Sequence, residues 1–429
     1  MIAAQAKSGR AVPADWIANS GSAAIGQRSL GDPTRLYPLY PPLLEGCPAS
    51  STAEMQYPLE IDYDYAKVPA AIFRQPPLPG LDRWAPLLPP LKPGLSIGEG
   101  GTPLVQATRL GQWLGLRQPL WLKDESRNPT WSHKDRLNLC VVSTALAAGA
   151  RGIAVASSGN HGAAAAAFAA RAGLPCVVVI SPAAQPVFRH FLAALGAHLV
   201  VVPTEERWPA LNRIVQATGF MPASNLTRFH TGNPFGPEGY KTVAYEIFAQ
   251  LDGQLPGTVV VPTGYGELLY GLAKGFRELV RFGLAKQVPR IHSAEPASRG
   301  PLARAVSRNV AAVEVSGAAS LAAGIACTVN SYRGVVALRD SGGTALLFEE
   351  PTLQAATAQL AGEGLWQEYS GAAGIAALYE AQHRGVAIAE PVVAILTSTG
   401  LKEVPAVASD APVSDMTSLD ALIERLNAA

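Results

Sequence analysis

The sequence predicts an α/β fold of two open domains with mainly parallel sheets, and two series of alternating segments support it. In the first series, four short apolar runs begin 22 or 23 residues apart: IAVAS (153–157), CVVVI (176–180), HLVVV (198–202) and FMPAS (220–224). The segments between them are alanine-rich or amphipathic, as helices are. Strands that alternate with helices through short connections indicate parallel βαβ units with right-handed crossovers.

The second series is less regular and predicts the other sheet. Its strand candidates are PLWLKDE (119–125), TVVVP (258–262), RIHSAE (290–295) and VVAIL (392–396). The predicted helices cover 134 to about 149, about 266 to 282, and segments near 353–364 and 371–384. Ligands of open α/β sheets bind beyond the carboxyl ends of the strands, so those ends are the first places to look for a site.

Residues 1–95 lack a clear pattern, and RQPPLPGLDRWAPLLPPLKPG (74–94) is rich in proline. We expect this stretch to be an extended connector packed on the body of the protein, and the alternative is a proline-rich recognition motif.

The composition narrows the class of protein. The chain has 429 residues, 48% of them hydrophobic and 16% charged, enough for two cores. Its 34 basic and 33 acidic residues give a net charge of +1, so neither nucleic acid nor a membrane is expected as a partner. No apolar run reaches the roughly 20 residues that span a bilayer, and MIAAQAKSGRAVPADW lacks the apolar region of a signal peptide. These features predict a cytoplasmic enzyme or binding protein.

The four cysteines are far apart in the sequence and fit neither a metal site nor a disulfide framework: Cys47, Cys140, Cys176 and Cys327. We therefore expect no metal.

The segment NPTWSHKDR (128–136) places Trp131, Ser132, His133 and Lys134 side by side at the start of a predicted helix. A helix N-terminus carries partial positive charge, which disfavours an ammonium group there. The same field lowers the pKa of the amine, which suits a lysine that forms a covalent bond rather than an ion pair.

Three predicted strand ends also carry unusual chemistry. In ASSGNHG (156–162), a tight turn opens a helix whose N–H groups suit a carboxylate or phosphate, although a plain helix cap is an equal explanation. In VPTGYGELLYGLAKGF (261–276), two glycines allow close approach to an anion, but neither a P-loop nor a dinucleotide motif is present. ILTSTGLKE (395–403) supplies neutral hydroxyls. Together with Lys134, these segments match the requirements of pyridoxal 5'-phosphate.

Seven segments then occur in the order of one family: LSIGEGGTPLV, LKDESRNPTWSHKDR, ASSGNHGAAAAAFAARAGLP, NPFGPEGYKTVAYEI, PTGYGELLYGLAKGF, EYSGAAGIAAL and LTSTGLKE. From about residue 57 to 405 the chain resembles the threonine synthase branch of the fold-type II pyridoxal phosphate-dependent enzymes (tryptophan synthase beta superfamily). The resemblance implies two α/β domains with the cofactor in the cleft between them.

The resemblance implies a role for each matching residue. Lys134 would form the Schiff base and move protons at the substrate Cα, Asn160 would bind the ring 3′-oxygen, and Thr397 would face the pyridine nitrogen. The cofactor phosphate would be held by the backbone of Gly264, Tyr265, Gly266, Glu267 and Leu268. His133 would pack against the cofactor or act as an acid or base. The substrate would contact Trp131, Ser132, Ser157, Ser158, Gly159 and His161, and the last three would receive its α-carboxylate.

The resemblance also implies the domain organisation. A large domain would comprise 96–149 and 241–429 and carry the lysine, and a small βαβ domain would comprise 150–240. Residues 1–95 would be an extension derived from a zinc ribbon that has lost its metal, since only Cys47 remains there. A homodimer is implied as well.

Five positions depart from the family pattern. Trp131 replaces the usual glycine, His133 the usual phenylalanine and His161 the usual threonine, and Gly236 aligns with an arginine that clamps the substrate phosphate. Glu267 brings a carboxylate to the cofactor phosphate. His161 or Arg228 could replace the clamp.

The best single prediction of function is a pyridoxal phosphate-dependent lyase of the threonine synthase type, which converts O-phosphohomoserine to threonine and phosphate. The alternative is β-elimination or β-replacement, as in serine or threonine dehydratases, cysteate synthase or specialised amino acid biosynthesis. A further alternative is a non-catalytic pyridoxal phosphate-binding protein.

Overall fold

The computed structural model describes residues 14–74, 76, 78–406, 423–424 and 426–427. Most of the segment MIAAQAKSGRAVPADW and most of the chain after 406 therefore lie outside the described residues. The strands are β1 (Ala24–Ser29), β2 (Leu36–Tyr37), β3 (Leu59–Tyr63), β4 (Leu104–Gln106), β5 (Leu120–Asp124), β6 (Ile153–Ala156), β7 (Cys176–Ile180), β8 (His198–Val201), β9 (Met221–Pro222), β10 (Thr258–Pro262), β11 (Arg290–Pro296), β12 (Ala345–Phe348) and β13 (Val392–Leu396).

The α-helices alternate with these strands over most of the chain. They are α1 (Ala14–Ala18), α2 (Thr108–Trp113), α3 (Lys134–Ala147), α4 (Asn160–Arg171), α5 (Pro186–Ala194), α6 (Arg207–Thr218), α7 (Gly236–Gln250), α8 (Glu267–Arg281), α9 (Pro301–Ser307), α10 (Tyr332–Ser341), α11 (Glu350–Gly362) and α12 (Tyr369–His383). Every strand and helix predicted from the two series is present within a few residues.

The strands form three sheets. The order of the six-stranded sheet is β12-β11-β10-β13-β5-β4, with all pairs parallel except β4 with β5. The four-stranded sheet, β8-β7-β6-β9, is entirely parallel. These two sheets confirm the predicted α/β fold class. The third sheet, β2-β1-β3, is antiparallel and was not predicted.

Apolar packing joins the two parallel sheets. The largest core cluster links one face of the four-stranded sheet, through Ile153 and Val178, with apolar side chains of α3, α4, α7 and α8. A second cluster covers the opposite face of the six-stranded sheet, where α12 packs on Val260 and Val392. The alanines of α4 are buried, and their small side chains allow close packing of this helix.

The antiparallel sheet attaches the N-terminal region to this body. In β3, the side chains of Leu59, Ile61 and Tyr63 are buried, whereas Glu60 and Asp62 are partly exposed. Glu60 pairs with Lys274 of α8 at 3.2 Å, and Asp62 pairs with Arg28 of β1. The two acidic side chains are therefore paired within the tertiary structure, which a local sequence pattern does not reveal.

The proline-rich segment packs on the body, as predicted, but its expected extended conformation is only partly correct. Residues Asp82–Leu87 form a 3-10 helix with Pro86 inside it. Trp84 and Leu87 are fully buried in the main core. Their burial stabilises a compact turn in place of an extended strand.

Two negative findings apply to the described residues. None of their helices is both long enough and apolar enough to cross a bilayer. They also contain no group of three or more histidine, cysteine, aspartate or glutamate side chains with a metal-binding arrangement.

Candidate active site

The loop after β5 presents Lys134 at the first position of α3, as predicted. Within this loop, Asp135 accepts hydrogen bonds from the Thr130 backbone N–H at 2.7 Å and from the Thr130 hydroxyl. The Arg136 guanidinium lies between Glu125 and Glu246, all three fully buried. Both residues that follow Lys134 are thus anchored, which fixes the start of the helix that carries it.

The end of β13 is bonded to the same loop. The Thr397 carbonyl accepts from the His133 backbone N–H at 3.1 Å and lies 3.2 Å from the His133 ring Nδ1. Ser398 donates its hydroxyl to the Trp131 carbonyl at 2.9 Å and forms an isolated antiparallel bridge with Ser132. Two of the predicted strand ends, which are about 260 residues apart in sequence, therefore lie in direct contact.

The Asn160 amide connects the third strand end to this pair. Its Nδ2 donates to the Glu368 carboxylate oxygens at 2.9 and 3.0 Å. Its Oδ1 accepts from Lys402 at 2.6 Å and from the Ser398 hydroxyl at 3.2 Å. Asn160 begins α4, which follows β6 of the four-stranded sheet, so these bonds cross between the two parallel sheets.

The turn before Asn160 is held by its own hydroxyls. Ser157 Oγ accepts from the Gly159 N–H at 3.4 Å, and Ser158 Oγ accepts from the Ser181 N–H at 2.8 Å. The Ser158 hydroxyl therefore ties the ends of β6 and β7 together. Gly159 caps α4, so the unpaired N–H groups of the first turn face the loop.

The loop between β10 and α8 contains the predicted phosphate-binding residues. Gly266 has a φ of 93°, and a Cβ atom there would lie 3.0 Å from the Gly334 backbone. A Cβ atom at Gly264 would lie 3.1 Å from Cys327 Sγ. Leu268 is part of the main core, and the Tyr265 ring stacks on His230 at 4.1 Å. Glycine is required at Gly266 by both its φ and its surroundings.

Glu267 begins α8 and is buried. A Cβ atom on Gly232 would overlap Glu267 Oε1, so the carboxylate lies against the backbone of the segment that carries His230. This direction answers the like-charge problem raised by the sequence, because the side chain extends away from its own loop.

Burial keeps the histidines of the site neutral. It lowers the pKa of His161 to about 3, with a further contribution from the positive charge of Lys134. The pKa values of His133 and His230 lie well below the usual histidine range for the same main reason. His161 Nε2 and His230 Nδ1 are buried without a hydrogen-bond partner among the described residues. Such atoms require a polar partner, which a bound ligand supplies.

The Lys134 amine has the properties expected of a covalent cofactor lysine. Burial lowers its pKa, and Glu267, Cys327 and Glu368 partly oppose this shift. Within the described residues Nζ forms no ion pair, and it lies 5.6 Å from the centre of the Tyr240 ring. The glycine loop, the Thr397 hydroxyl and the unpartnered His161 nitrogen complete a set of groups that fits pyridoxal phosphate.

Trp131 stands where the family has glycine, and its backbone explains that preference. Its φ is 57°, a left-handed conformation, and its side chain is 48% exposed. The indole contacts Phe191 of α5 at a ring distance of 5.7 Å. The side chain is thus at the mouth of the site, between the two parallel sheets.

We predict that Trp131→Gly is more stable than Trp131→Ala by about 1 kcal/mol, since alanine retains the cost of a left-handed φ and glycine does not. Both variants lose the same contact with Phe191, so the comparison isolates the backbone term. Urea unfolding followed by circular dichroism measures the difference. An alanine variant at least as stable as the glycine variant would show that φ is not positive there.

Two residues considered for a substrate phosphate do not join the site. Arg228 is exposed and pairs with the exposed Glu314 at 3.0 Å. A Cβ atom on Gly236 would lie 2.8 Å from Leu137 Cγ, so an arginine side chain does not fit there without a shift of α3. Of the suggested substitutes for the clamp, only His161 lies beside Lys134.

Three residues of the site had no predicted role: Glu368, Lys402 and His230. Glu368 and Lys402 lie within EYSGAAGIAAL and LTSTGLKE, so the motifs contained them. A buried charged residue close after a strand end was the available signal.

Comparison with known proteins agrees with this site. Residues 95–398 match the family described as pyridoxal-phosphate dependent enzyme. Threonine synthase of Methanosarcina acetivorans is 30% identical over 376 residues, 86% of this chain and 92% of that protein. Threonine synthase of Mycobacterium tuberculosis is 32% identical over 358 residues, 82% of this chain and 94% of that protein.

A solved structure of a bacterial-type threonine deaminase (T.th.) is 26% identical with a TM-score of 0.57, and the match covers 69% of this chain and 91% of that chain. Together these matches confirm the predicted family, fold class and cofactor, and they confirm a pyridoxal phosphate-dependent lyase. On the family match over residues 95–398 and the relatives that cover most of its length, the chain belongs to the pyridoxal-phosphate dependent enzymes.

Proposed function

We propose that the chain catalyses elimination or replacement at Cβ or Cγ of a small amino acid, and that its reaction is the one named for its threonine synthase relatives, O-phosphohomoserine to threonine and phosphate. The observation that carries this proposal is the contact of three strand ends around Lys134 through Thr397, Ser398 and Asn160. The relatives at 30 and 32% identity favour this reaction within the family.

Lys134 carries the cofactor and moves the proton at the substrate Cα. Its lowered pKa supports both roles, because an uncharged amine is both a nucleophile and a base. Asn160 donates to the ring 3′-oxygen, and His133 packs beside the ring. When bound, pyridoxal phosphate withdraws electrons from Cα.

The Thr397 hydroxyl faces the pyridine nitrogen. A neutral hydroxyl stabilises a protonated ring nitrogen less than a carboxylate does, which favours elimination and replacement over transamination. The phosphate is held by the backbone of Gly264, Tyr265, Gly266, Glu267 and Leu268, where α8 begins.

The substrate α-carboxylate binds the N-terminus of α4, where N–H groups of the first turn are unpaired. His161 supplies the buried Nε2, which is neutral at physiological pH and can donate to that carboxylate. The remaining substrate contacts come from Trp131, Ser132, Ser157, Ser158 and Gly159. Ser158 contributes through its backbone, since its hydroxyl is bonded to Ser181.

A second candidate function is β-elimination or β-replacement on a substrate without phosphate. It is favoured by the packing of Gly236 against Leu137 and by the exposed ion pair of Arg228, which leave the arginine clamp without a substitute guanidinium. The 26% identity to a threonine deaminase supports the same candidate.

One assay distinguishes the two candidates. The reconstituted enzyme is supplied with O-phosphohomoserine, and phosphate and threonine are measured, with serine and threonine as parallel substrates. We expect phosphate and threonine in equal amounts. Turnover of serine or threonine alone, with release of a 2-oxo acid, would replace the first candidate by the second. Binding of pyridoxal phosphate without turnover of any of the three would favour the non-catalytic alternative.

We further propose the domain division given by the resemblance: 1–95, 96–149 with 241–429, and 150–240. Membership of the strands supports it, since β6 to β9 form one sheet and β4, β5 and β10 to β13 another. A cytoplasmic homodimer is proposed with it. All four cysteines are free, which suits a reducing compartment, and sedimentation equilibrium measures the number of chains.

A further inference from the structure

Lys402 lies where three segments of the site meet. Its Nζ donates to Asn160 Oδ1 and to the Thr130 carbonyl, each at 2.6 Å, and it lies 3.5 Å from the Ser398 hydroxyl. The side chain is only 6% exposed. Thr130 belongs to the loop that presents Lys134, and Asn160 follows a strand of the other parallel sheet. One ammonium group therefore links the lysine loop to the asparagine loop.

These contacts determine which way the Asn160 amide faces. A lysine ammonium can only donate, so Asn160 must present its carbonyl oxygen to Lys402. An ionised carboxylate can only accept, so the Nδ2 group faces Glu368 at 2.9 and 3.0 Å. The reversed amide would oppose two donors on one side and two acceptors on the other, and both charged hydrogen bonds would be lost.

The amide nitrogen keeps a donor for the site. An asparagine Nδ2 has two hydrogens, and the two Glu368 oxygens lie at nearly equal distances on one side of it, so one N–H can serve both. The second N–H is then available to an acceptor in the site. Its direction is fixed as long as the carbonyl end is held by Lys402.

We propose that Lys402 is a positioning residue that holds the Asn160 amide so that its N–H donates to the ring 3′-oxygen of bound pyridoxal phosphate, an inference that rests on the proposed role of Asn160. Nothing in this role requires Lys402 to touch the cofactor. It acts through Asn160 alone.

The charge of Lys402 is maintained by its surroundings. Burial lowers its pKa to about 8, while the nearby carboxylates of Glu368 and Asp135 oppose the shift. The ammonium form therefore predominates at neutral pH, and the donor that holds Asn160 is present. Burial in turn raises the pKa of Glu368, and Lys402 partly opposes that shift.

The alternative is that Lys402 only satisfies the Thr130 carbonyl and so stabilises a loop. A purely structural lysine would affect the unfolding temperature without changing the spectrum of the bound cofactor. A double-mutant cycle with Asn160 separates the two explanations, because residues that act through one hydrogen bond give effects that do not add.

The experiment compares Lys402→Met, Asn160→Ala and the double variant, with Lys286→Met, an exposed lysine, as the matched control. Cofactor-free protein is titrated with pyridoxal phosphate, and the dissociation constant and the absorption maximum of the bound form are measured. We expect each single variant to weaken binding about tenfold, the loss of one charge-assisted hydrogen bond. Both should shift the absorption maximum in the same direction, and the double variant should bind within about twofold of the weaker single variant. Lys286→Met should match the parent.

Three results would overturn the proposal: Lys402→Met that binds with the parent constant and absorption maximum, effects that multiply in the double variant, or a neutral Asn160→Ala. If the methionine variant does not fold, Lys402→Gln serves, because its amide still donates to Asn160 and should weaken binding only a few-fold. Failure of the proposed function is separate: it would appear as a parent protein without a visible absorption band.

Discussion

Replacing Lys134 with alanine is expected to abolish the visible absorption band of the reconstituted protein and to lower turnover by about a thousandfold or more. The variant removes both the covalent attachment of the cofactor and the base at the substrate Cα. Lys402 cannot substitute, since its Nζ is already bonded to Asn160 and Thr130. Absorption spectra and initial rates measure the two losses.

The fold of this variant should be unaffected. The Lys134 side chain forms no ion pair among the described residues, so alanine leaves no buried charge without a partner. Thermal unfolding of the cofactor-free variant should match that of cofactor-free parent, and Lys286→Ala is the surface control. A retained absorption band in Lys134→Ala would place the attachment on another lysine.

Replacing Arg136 with methionine is expected to lower the free energy of unfolding by about 3–5 kcal/mol. The guanidinium forms two hydrogen bonds with Glu125, at 2.7 and 2.8 Å, and two with Glu246, at 2.6 and 2.8 Å. All three side chains are fully buried. Methionine would leave Glu125 without its cation and Glu246 with only Lys123, at 2.7 Å. Urea unfolding followed by circular dichroism measures the loss.

Arg136→Lys is the matched control for charge. It keeps a cation but not the planar fork that bonds both carboxylates, so its stability should lie between the parent and Arg136→Met. A methionine variant within about 1 kcal/mol of the parent would mean that the buried carboxylates are protonated or hydrated instead of paired.

The sequence predicted the parallel sheets well because their strands are buried on both faces. Runs such as CVVVI and VVAIL have no polar interruption, and alanine-rich helices separate them, so local pattern and tertiary burial agree. The start of α3 at Lys134 followed from the same logic.

The antiparallel sheet could not be predicted because its stability depends on distant partners. Glu60 is bonded to Tyr270 and paired with Lys274, more than 200 positions away, and these contacts pack β3 on α8. The short strands β4 and β12 lacked enough residues for a clear pattern.

In the site, residue types were predictable but contacts were not. Lys134, Asn160 and Thr397 belong to motifs, and motifs can be recognised one at a time. The bond between Lys402 and Asn160 joins residues 242 positions apart and depends on how the two parallel sheets are arranged. The direction of Glu267 likewise depends on Gly232, a residue of a different segment.

The most direct test of the account is to locate the cofactor on the chain. The reconstituted enzyme is reduced with borohydride, which makes the link between cofactor and lysine permanent, and is then digested and sequenced by mass spectrometry. The account predicts that the pyridoxyl phosphate group is attached to Lys134 alone. Its attachment to Lys402 or Lys123, or to no lysine, would contradict the account.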